Sequence, residues 1–282
     1  MSHHDAHQTA RRLALGARSL VLLAFGLFFV VPLAWLVLAP TKTDYDLLTR
    51  SPLAVGDLHN VWVAWGDLDA FGDHIYRRWL ENSLLYSLSA TAIALAVGVP
   101  AGYGLAIGRF RGRSVVLSLT LIAMLIPASS LVLPIYLELN AMHLIGSVFS
   151  IILPFAFFPF GVYLAYLYYA TALPPGLLDA ARVDGCSELQ TFVRVALPLA
   201  KPVVALVFFF SFVADWNNFF LPYAILPDQT QFPVQVGLTD IFRGSRPTVA
   251  LATLIAALPV AIVFVASQRA LVRGAMVGAT KE

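Results

Sequence analysis

The chain has 282 residues, of which 59% are hydrophobic and 12% charged, and its mean hydropathy is +0.80. A soluble globular domain has about a quarter charged residues, so this composition excludes an ordinary water-soluble protein, and the many apolar residues exclude intrinsic disorder. The single cysteine, Cys186, excludes a disulfide scaffold, and a net charge of +2 gives no general attraction for nucleic acid.

Six long windows with almost no charge follow one another along the chain. Each has about the 20 apolar residues that a membrane-spanning helix needs. They are residues 19–41, 82–108, 114–137, 148–170, 202–226 and 247–268. The sequence therefore predicts an all-α integral membrane protein with six transmembrane helices in a single domain at 19–271, between an N-terminal tail at 1–18 and a C-terminal tail at 272–282.

The basic residues between these windows indicate an orientation. The segments on the side of both termini hold twelve: Arg11, Arg12, Arg18, Arg109, Arg111, Arg113, Arg182, Arg194, Lys201, Arg269, Arg273 and Lys281. The opposite segments hold six: Lys42, Arg50, Arg77, Arg78, Arg243 and Arg246. The positive-inside rule then predicts that both termini are cytoplasmic.

The first window also follows basic residues, as the apolar region of a signal peptide does. It has the length of a full span and lacks a small-residue cleavage site, so we expect an uncleaved anchor helix.

Residues 171–201, between the fourth and fifth windows, have the pattern of two short helices around a turn. Gly185 can adopt the left-handed conformation that ends a helix. Ser187 and Gln190 have the spacing of a capping box for the second helix, which we expect to end at Pro198. The apolar face expected for that helix consists of Leu189, Phe192, Val193 and Ala196.

This segment resembles the EAA loop of the permeases of ATP-binding-cassette (ABC) importers, in which Glu-Ala-Ala is followed at fixed spacing by Asp-Gly, Phe and Leu-Pro. The matching residues are Asp179, Ala180, Ala181, Asp184, Gly185, Phe192, Leu197 and Pro198. Asp179 stands where the family usually has Glu, which shortens the carboxylate arm by one methylene. Cys186 stands where Ala is commonest. The resemblance implies that residues 171–201 are a cytoplasmic coupling loop in which these eight residues contact the ATPase.

Segments outside the loop resemble the carbohydrate-type permeases, specifically the smaller of the two maltose-type membrane subunits. They are residues 78–84, 101–113, 214–222 and 268–281. The resemblance implies a permease that moves a sugar or oligosaccharide into a bacterial or archaeal cell by alternating access across the cell (inner) membrane. The implied partners are a homologous second permease, two ATPase subunits, an extracytoplasmic solute-binding protein and membrane lipid, with no nucleic acid.

The chain lacks the motifs of an ATPase or hydrolase. No G-x-x-x-x-G-K-[ST] phosphate loop occurs, so we expect no catalytic residue and no cofactor in this chain, with ATP and Mg²⁺ bound by the partner ATPases. His3, His4 and His7 lie beside Asp5, but an exposed tail rarely presets metal geometry, so we expect no metal site.

Asp215 is the one acid inside a predicted span, and such residues are functional hypotheses because an unpaired carboxylate in hydrocarbon is costly. With Trp216, Asn217 and Asn218 it is our candidate lining for the substrate pathway. The alternative is a structural polar cluster that joins helices.

The outer segment 227–246 has no obvious helix or strand, and an irregular loop of this length usually has a function. In the maltose-type family the equivalent loop enters the binding protein. The resemblance therefore implies that Asp228, Gln229, Gln231 and Gln235 contact the binding protein.

Three other function classes are alternatives to this interpretation. One is an ABC permease for a non-sugar or sugar-phosphate solute. Another is an ion-coupled secondary transporter, which would normally have inverted repeats and several buried acids. An intramembrane enzyme would need catalytic groups at one depth, and the sequence contains no such cluster.

Overall fold

The structure is a computed structural model that describes residues 3–279, with side chains described for 15–271 except Pro175. All regular structure in this range is helical, as the sequence predicts. The α-helices are α1 (His3–Leu38), α2 (Asp44–Thr49), α3 (Leu58–Ala70), α4 (Ile75–Ile107), α5 (Arg113–Leu125), α6 (Val132–Ala141), α7 (Phe149–Ala156), α8 (Pro159–Thr171), α9 (Pro175–Val183), α10 (Glu188–Thr191), α11 (Leu197–Leu199), α12 (Lys201–Trp216), α13 (Phe220–Ile225), α14 (Val234–Ile241) and α15 (Arg246–Ala279).

Four stretches of the described chain are long and apolar enough to cross a membrane on their own. They are Leu15–Thr41, Ile75–Ile107, Phe149–Thr171 and Arg246–Leu271. Two bent pairs also qualify if each pair is one span, which brings the total to six. They are Arg113–Leu125 with Ala128–Ala141, bent by 99°, and Glu188–Leu199 with Lys201–Trp216, bent by 77°.

The helices are interrupted inside three of the predicted windows, and two of these breaks lie directly before a proline. The third window breaks at Ile126, which is extended because the residue before a proline is disfavoured in the α conformation, and the fourth breaks at Phe158 before Pro159. In the fifth window α12 ends at Trp216, and a second helix begins only at Phe220. The uncharged windows were therefore longer than the helices inside them.

Three helices extend beyond the expected windows. The second span begins at Ile75, before residue 82, with Tyr76 and Trp79 fully buried in its first turns. The backbones of α1 and α15 continue into the predicted tails, from His3 and to Ala279 respectively. Residues 1–2 and 280–282 of those tails lie outside the described residues.

The described chain divides into two compact units. The first contains α1, α2, α3 and the start of α15, and its connecting loops are closed by hydrogen bonds. The Thr41 hydroxyl accepts from the Gly56 amide at 2.9 Å, and the buried Lys42 ammonium donates to the Ser51 and Pro52 carbonyls. A buried ammonium needs such acceptors because burying an unpaired charge is costly.

The second unit contains α4 to α13, nearly all of α14 and the remainder of α15. Its core is made by α4, α8 and α12, which pack through Val99, Ala165, Val203 and Val207. The expectation that residues 227–246 lack regular structure is wrong. They include a 3₁₀ turn (Gln229–Gln231) and α14, because the apolar residues Val234, Val236, Leu238 and Ile241 are buried.

Candidate functional site

The predicted coupling loop forms two helices around a left-handed glycine. Helix α9 ends at Val183, and Gly185 has φ +82°. The capping box is confirmed, since the Gln190 amide donates to the Ser187 hydroxyl at 3.3 Å and the Ser187 amide donates to the Gln190 side chain at 2.9 Å. The helix-turn-helix pattern at this point is therefore as the sequence predicts.

The second helix of the loop differs from the prediction in its end and its buried face. It widens into a π-helical turn at Phe192–Ala196 and continues through α11, so Pro198 does not end it. The widened turn directly precedes Pro198, whose missing N–H cannot complete the α-helical pattern.

Because a π turn holds more residues than an α turn, Ala196 rotates away from the face of Leu189. Ala196 is buried, whereas Leu189 and Val193 are exposed. The expected single apolar face is therefore wrong, and the helix presents two apolar faces.

Arg182 joins the two helices of the loop. Its Nη1 donates to Asp179 Oδ1 at 2.9 Å, and its Nε donates to Glu188 Oε1 at 2.9 Å. The hydrogen bond that Arg182 donates to Glu188, then the charge of Glu188, and then Asp179 raise the pKa of Arg182 above its ordinary value. All three side chains are solvent-exposed, so the ion pairs define the geometry of the loop more than its stability.

The loop exposes a surface of apolar side chains at its tip. We call it the tip surface, and it consists of Leu177, Val183, Leu189 and Val193, with Val183 88% and Leu189 71% exposed. Leu178 and Ala181 of α9 are buried, and Leu178 belongs to the core of the second unit. Large exposed apolar patches are typical of interaction surfaces.

The eight predicted coupling residues divide between these two faces. Asp179, Ala180, Asp184, Gly185 and Pro198 are exposed, Phe192 and Leu197 are half-buried, and Ala181 is buried. Phe192 packs on Tyr103 of α4, with ring centroids 5.0 Å apart. Arg182 and Glu188 were not predicted as site residues, although the three-residue spacing from Asp179 to Arg182 is that of a helical ion pair.

Asp215 joins α12 to α4. The Thr91 hydroxyl donates to Asp215 Oδ2 at 3.0 Å, and the Ser211 hydroxyl donates to the same oxygen at 3.3 Å. Thr91 and Ser211 are fully buried. Thr91 lies 16 residues from each end of α4, or about 24 Å at about 1.5 Å per residue, so the carboxylate is held near mid-height of that helix.

The three residues after Asp215 do not share its surroundings. The Trp216 indole is buried and donates to the Ala256 carbonyl at 3.0 Å, and the Asn217 amide donates to Val213 of its own helix. Asn218 lines a mainly apolar cavity of about 570 Å³ beside α6. The structure thus brings Asp215 together with Thr91 and Ser211, which the sequence analysis missed, rather than with its neighbours in sequence.

Side chains near the start of α4 hold the backbone of the segment before α14. The Trp79 indole donates to the Gln229 carbonyl at 2.7 Å, and the Tyr86 hydroxyl donates to the Gln231 carbonyl at 3.0 Å. The Asn82 amide donates to the Thr230 and Phe232 carbonyls at 2.8 and 3.0 Å. These bonds give the outer segment a fixed path.

The predicted binding-protein contacts differ in exposure. Asp228 and Gln229 are exposed, whereas Gln231 and Gln235 are half-buried. Asp228 accepts from the Thr230 amide at 2.8 Å, and this hydrogen bond lowers the pKa of Asp228, with Arg78 adding a smaller effect.

The candidate metal residues His3, His4, Asp5 and His7 have side chains outside the described range. Among the side chains that are described, no group of three or more His, Cys, Asp or Glu has a metal-binding arrangement.

Comparisons with known proteins agree in family and fold. Residues 98–277 match the family described as the binding-protein-dependent transport system inner membrane component. The chain is 32% identical to the arabinooligosaccharides transport system permease protein AraQ of Bacillus subtilis, over all of both chains. It is 26% identical to the diacetylchitobiose uptake system permease protein NgcG of Streptomyces coelicolor, over 94% of this chain and 88% of that protein.

The fold also matches a solved structure. This is the crystal structure of a bacterial ABC transporter involved in the import of the acidic polysaccharide alginate, with a TM-score of 0.80, 23% identity, and coverage of 95% of this chain and 98% of that one. The match shows the ABC permease fold. The chain is a multi-pass membrane protein that belongs to the family of binding-protein-dependent transport system inner membrane components.

Proposed function

We propose that the chain is the permease subunit of an ABC importer for a sugar or oligosaccharide. The observation that carries this proposal is the full-length 32% identity to a permease named for arabinooligosaccharides. Relatives named for lactose, at 28% identity, and for galactooligosaccharides, at 29%, support the same substrate class.

The transport cycle in this proposal uses energy from other subunits. Two partner ATPases bind ATP and Mg²⁺, a homologous second permease completes the pathway, and a solute-binding protein delivers the sugar to the outer side. The chain supplies no catalytic residue and no cofactor. Both termini are cytoplasmic, so residues 171–201 face the ATPases and residues 227–246 face the binding protein.

The tip surface is the proposed contact with an ATPase. Covering its exposed apolar side chains would favour binding, because the burial of apolar area is the main driving force of protein association. Arg182 holds the two helices that present this surface at a fixed separation. Tyr103 and Phe192 then connect the loop to α4, which provides a path for motion into the membrane domain.

Asp215, Trp216, Asn217 and Asn218 remain the proposed pathway residues, with Asp215 as the principal one. Thr91 and Ser211 satisfy one oxygen of its carboxylate. A carboxylate with remaining acceptor capacity can accept hydrogen bonds from sugar hydroxyls.

Asp228 and Gln229 are the proposed binding-protein contacts because they are exposed on a segment whose backbone is fixed. Half-buried Gln231 and Gln235 have a secondary part in this contact.

The substrate proposal is tested by reconstituting the chain with the second permease, ATPase and binding protein encoded beside it. Binding to the purified binding protein and ATP-dependent uptake into vesicles are measured with a panel of labelled oligosaccharides, monosaccharides, sugar phosphates and non-sugar solutes. Uptake of a sugar or oligosaccharide supports the proposal. Uptake restricted to sugar phosphates or to non-sugar solutes would show that the proposed substrate class is wrong.

The coupling proposal is tested with Val183→Ser. Val183 is 88% exposed, so the change leaves the core intact and removes apolar area from the tip surface. We expect weaker association with the ATPase and lower uptake. The matched control is Val55→Ser, since Val55 is 66% exposed in the first unit. Equal ATPase association in the two variants would show that the tip surface is not the docking contact.

A further inference from the structure

Two cavities of the second unit are both lined by Gly104 of α4. One is a polar cleft of about 1010 Å³ between the end of α4 and the coupling loop, and the other is an apolar groove of about 360 Å³ along α4. Both volumes are in the usual range of ligand sites, roughly 300 to 1,000 Å³. A Cβ atom added to Gly104 would meet nothing within 4 Å, so the space beside this residue is open.

The polar cleft has basic groups at the membrane end of α4. Arg109 and Arg113 line it, and Arg113 is oriented by donating to the Ala106 carbonyl at 3.1 Å. Arg182 also lines the cleft, but Asp179 and Glu188 already compensate its charge. The surplus charge of the cleft is therefore positive and lies on the turn between α4 and α5.

Two buried hydroxyl groups lie at the inner wall of this cleft. Tyr103 and Tyr169 line it and are 8% and 1% exposed, with ring centroids 5.2 Å apart. Neither hydroxyl oxygen has a hydrogen-bond partner among the described residues. Buried polar groups are usually satisfied, so these hydroxyls indicate a ligand that accepts hydrogen bonds.

The groove has the length of one bilayer leaflet. It follows α4 from Ala94 to Leu105, which is 11 residues or about 16 Å at about 1.5 Å per residue. Half of a hydrocarbon core of about 30 Å is about 15 Å. Its other lining side chains are almost all apolar and come from the turn after α4, from α5, from the end of α7 and its link to α8, and from α8: Phe110, Val116, Thr120, Ala156, Phe157, Phe158 and Val162.

We propose that the cleft and the groove together form one binding site for an anionic phospholipid. Arg109 and Arg113 bind the phosphate, the hydroxyls of Tyr103 and Tyr169 donate to headgroup oxygens, and an acyl chain occupies the groove past Gly104. Basic pockets between membrane helices recognise anionic headgroups through this combination of charge and apolar surface.

A soluble anion would use the polar cleft and leave the groove empty. An acidic side chain of a partner ATPase would do the same. Only a lipid accounts for both cavities and for their junction at a residue without a side chain. The site also joins the turn after α4 to the coupling loop, so its occupant would contact both.

The test uses the full-length chain in its assembled transporter, placed in nanodiscs of phosphatidylcholine with or without phosphatidylglycerol. Native mass spectrometry then counts the retained lipids, and this measurement does not depend on which solute is transported. We expect the wild type to retain phosphatidylglycerol in preference to phosphatidylcholine. Arg109→Gln should weaken retention about fivefold, the factor for one basic residue at an anionic surface.

Matched variants separate the site from general effects. Arg111→Gln removes the same charge from the same turn but lies outside the cleft, and should leave retention unchanged. Gly104→Leu fills the junction and should abolish retention, whereas Gly26→Leu, at another helical glycine with open space, should not. Gel filtration of each variant confirms that the transporter remains assembled.

Several results would overturn the proposal. These are equal retention of the two lipids, equal effects of Arg109→Gln and Arg111→Gln, and competition by inorganic phosphate as strong as by phosphatidylglycerol. Lipid that is retained by the two permeases alone and lost completely in the assembled transporter would assign the cleft to the ATPase.

Discussion

Gly237 of α14 lies against the ring of Trp79, and we predict that adding one methyl group at this position releases the outer segment. A Cβ atom built on Gly237 would overlap Cε3, Cδ2 and Cζ3 of the indole. Trp79 is fully buried, so the ring has no free space into which it can move. Gly237→Ala must therefore displace the ring, the helix or both.

The magnitude follows from two effects. Forcing extra volume into a packed core costs about 1–3 kcal/mol. Displacing the indole also breaks its hydrogen bond to the Gln229 carbonyl, and leaving the buried indole N–H unsatisfied costs about 1–3 kcal/mol more. Because α14 can take up part of the displacement without breaking this bond, we expect a total loss of about 2–4 kcal/mol.

The assay is thermal unfolding of the purified transporter, with binding-protein-stimulated ATPase activity measured in parallel. Gly66→Ala is the control, since Gly66 is helical with nothing within 4 Å, and alanine there should be neutral or stabilising by up to about 1 kcal/mol. We expect Gly237→Ala to unfold at lower temperature and to lose stimulation. A smaller ring should relieve the overlap, so the penalty should shrink in a Trp79→Phe background. Equal stability of the two glycine variants would refute the packing argument.

Three further predictions concern the other sites. Gly185→Val should reduce uptake and ATPase association, because a residue with a side chain pays about 1–2 kcal/mol to adopt φ +82°. Gly176→Ala in α9 is the control and should be tolerated, since nothing lies within 4 Å of the added Cβ atom. The measurement is co-purification of the ATPase. Asp215→Asn keeps an acceptor for Thr91, so we expect assembly to persist while uptake falls; unchanged uptake would favour a purely structural cluster. The pKa of Asp228 is lowered, so the stability that its carboxylate gives the outer segment is fully present above its ordinary pKa and is lost only as pH falls through the lowered value. Limited proteolysis across pH should therefore show cleavage of the wild-type segment beginning only below the ordinary pKa of aspartate. Asp228→Asn should show no such transition.

Local patterns in the sequence were sufficient for the all-helical membrane fold and for the turn of the coupling loop. Long uncharged windows identify spans because hydrocarbon excludes charge, whatever the tertiary contacts are. The capping box at Ser187 and the left-handed Gly185 depend on residues within three positions of each other. Such features are encoded locally, and the structure contains both.

Tertiary contacts explain what the sequence analysis missed. Thr91 and Asp215 are 124 residues apart, so no local pattern could pair them. The polar side chains of Trp79, Asn82 and Tyr86 are in an ordinary helical stretch, and their role in holding residues 229–232 depends on a contact about 150 residues away. Helix α14 does carry a sequence signal, since its buried residues Val234, Leu238 and Ile241 have the i, i+4, i+7 spacing of a helix, but the signal spans only eight residues and was missed.

Helix α4 contacts the outer segment, Asp215 and the coupling loop. Pro100 lies between the part of α4 that makes the first two contacts and the part that makes the third. Trp79 contacts the outer segment, Thr91 contacts Asp215, and Tyr103 contacts Phe192 of the coupling loop. Pro100 has no N–H and cannot bond to the Ala96 carbonyl, so α4 is weakest between Thr91 and Tyr103.

If this weak point lets the inner end of α4 follow the coupling loop, restoring the hydrogen bond should stiffen the helix and reduce transport. We therefore expect Pro100→Ala to retain assembly and basal ATPase activity, with lower uptake per ATP hydrolysed. Pro259→Ala, which makes the same change inside α15, is the control for a general effect of removing a proline from a membrane helix. Equal uptake per ATP in the two variants would mean that α4 transmits motion as a rigid rod and that Pro100 has no part in coupling.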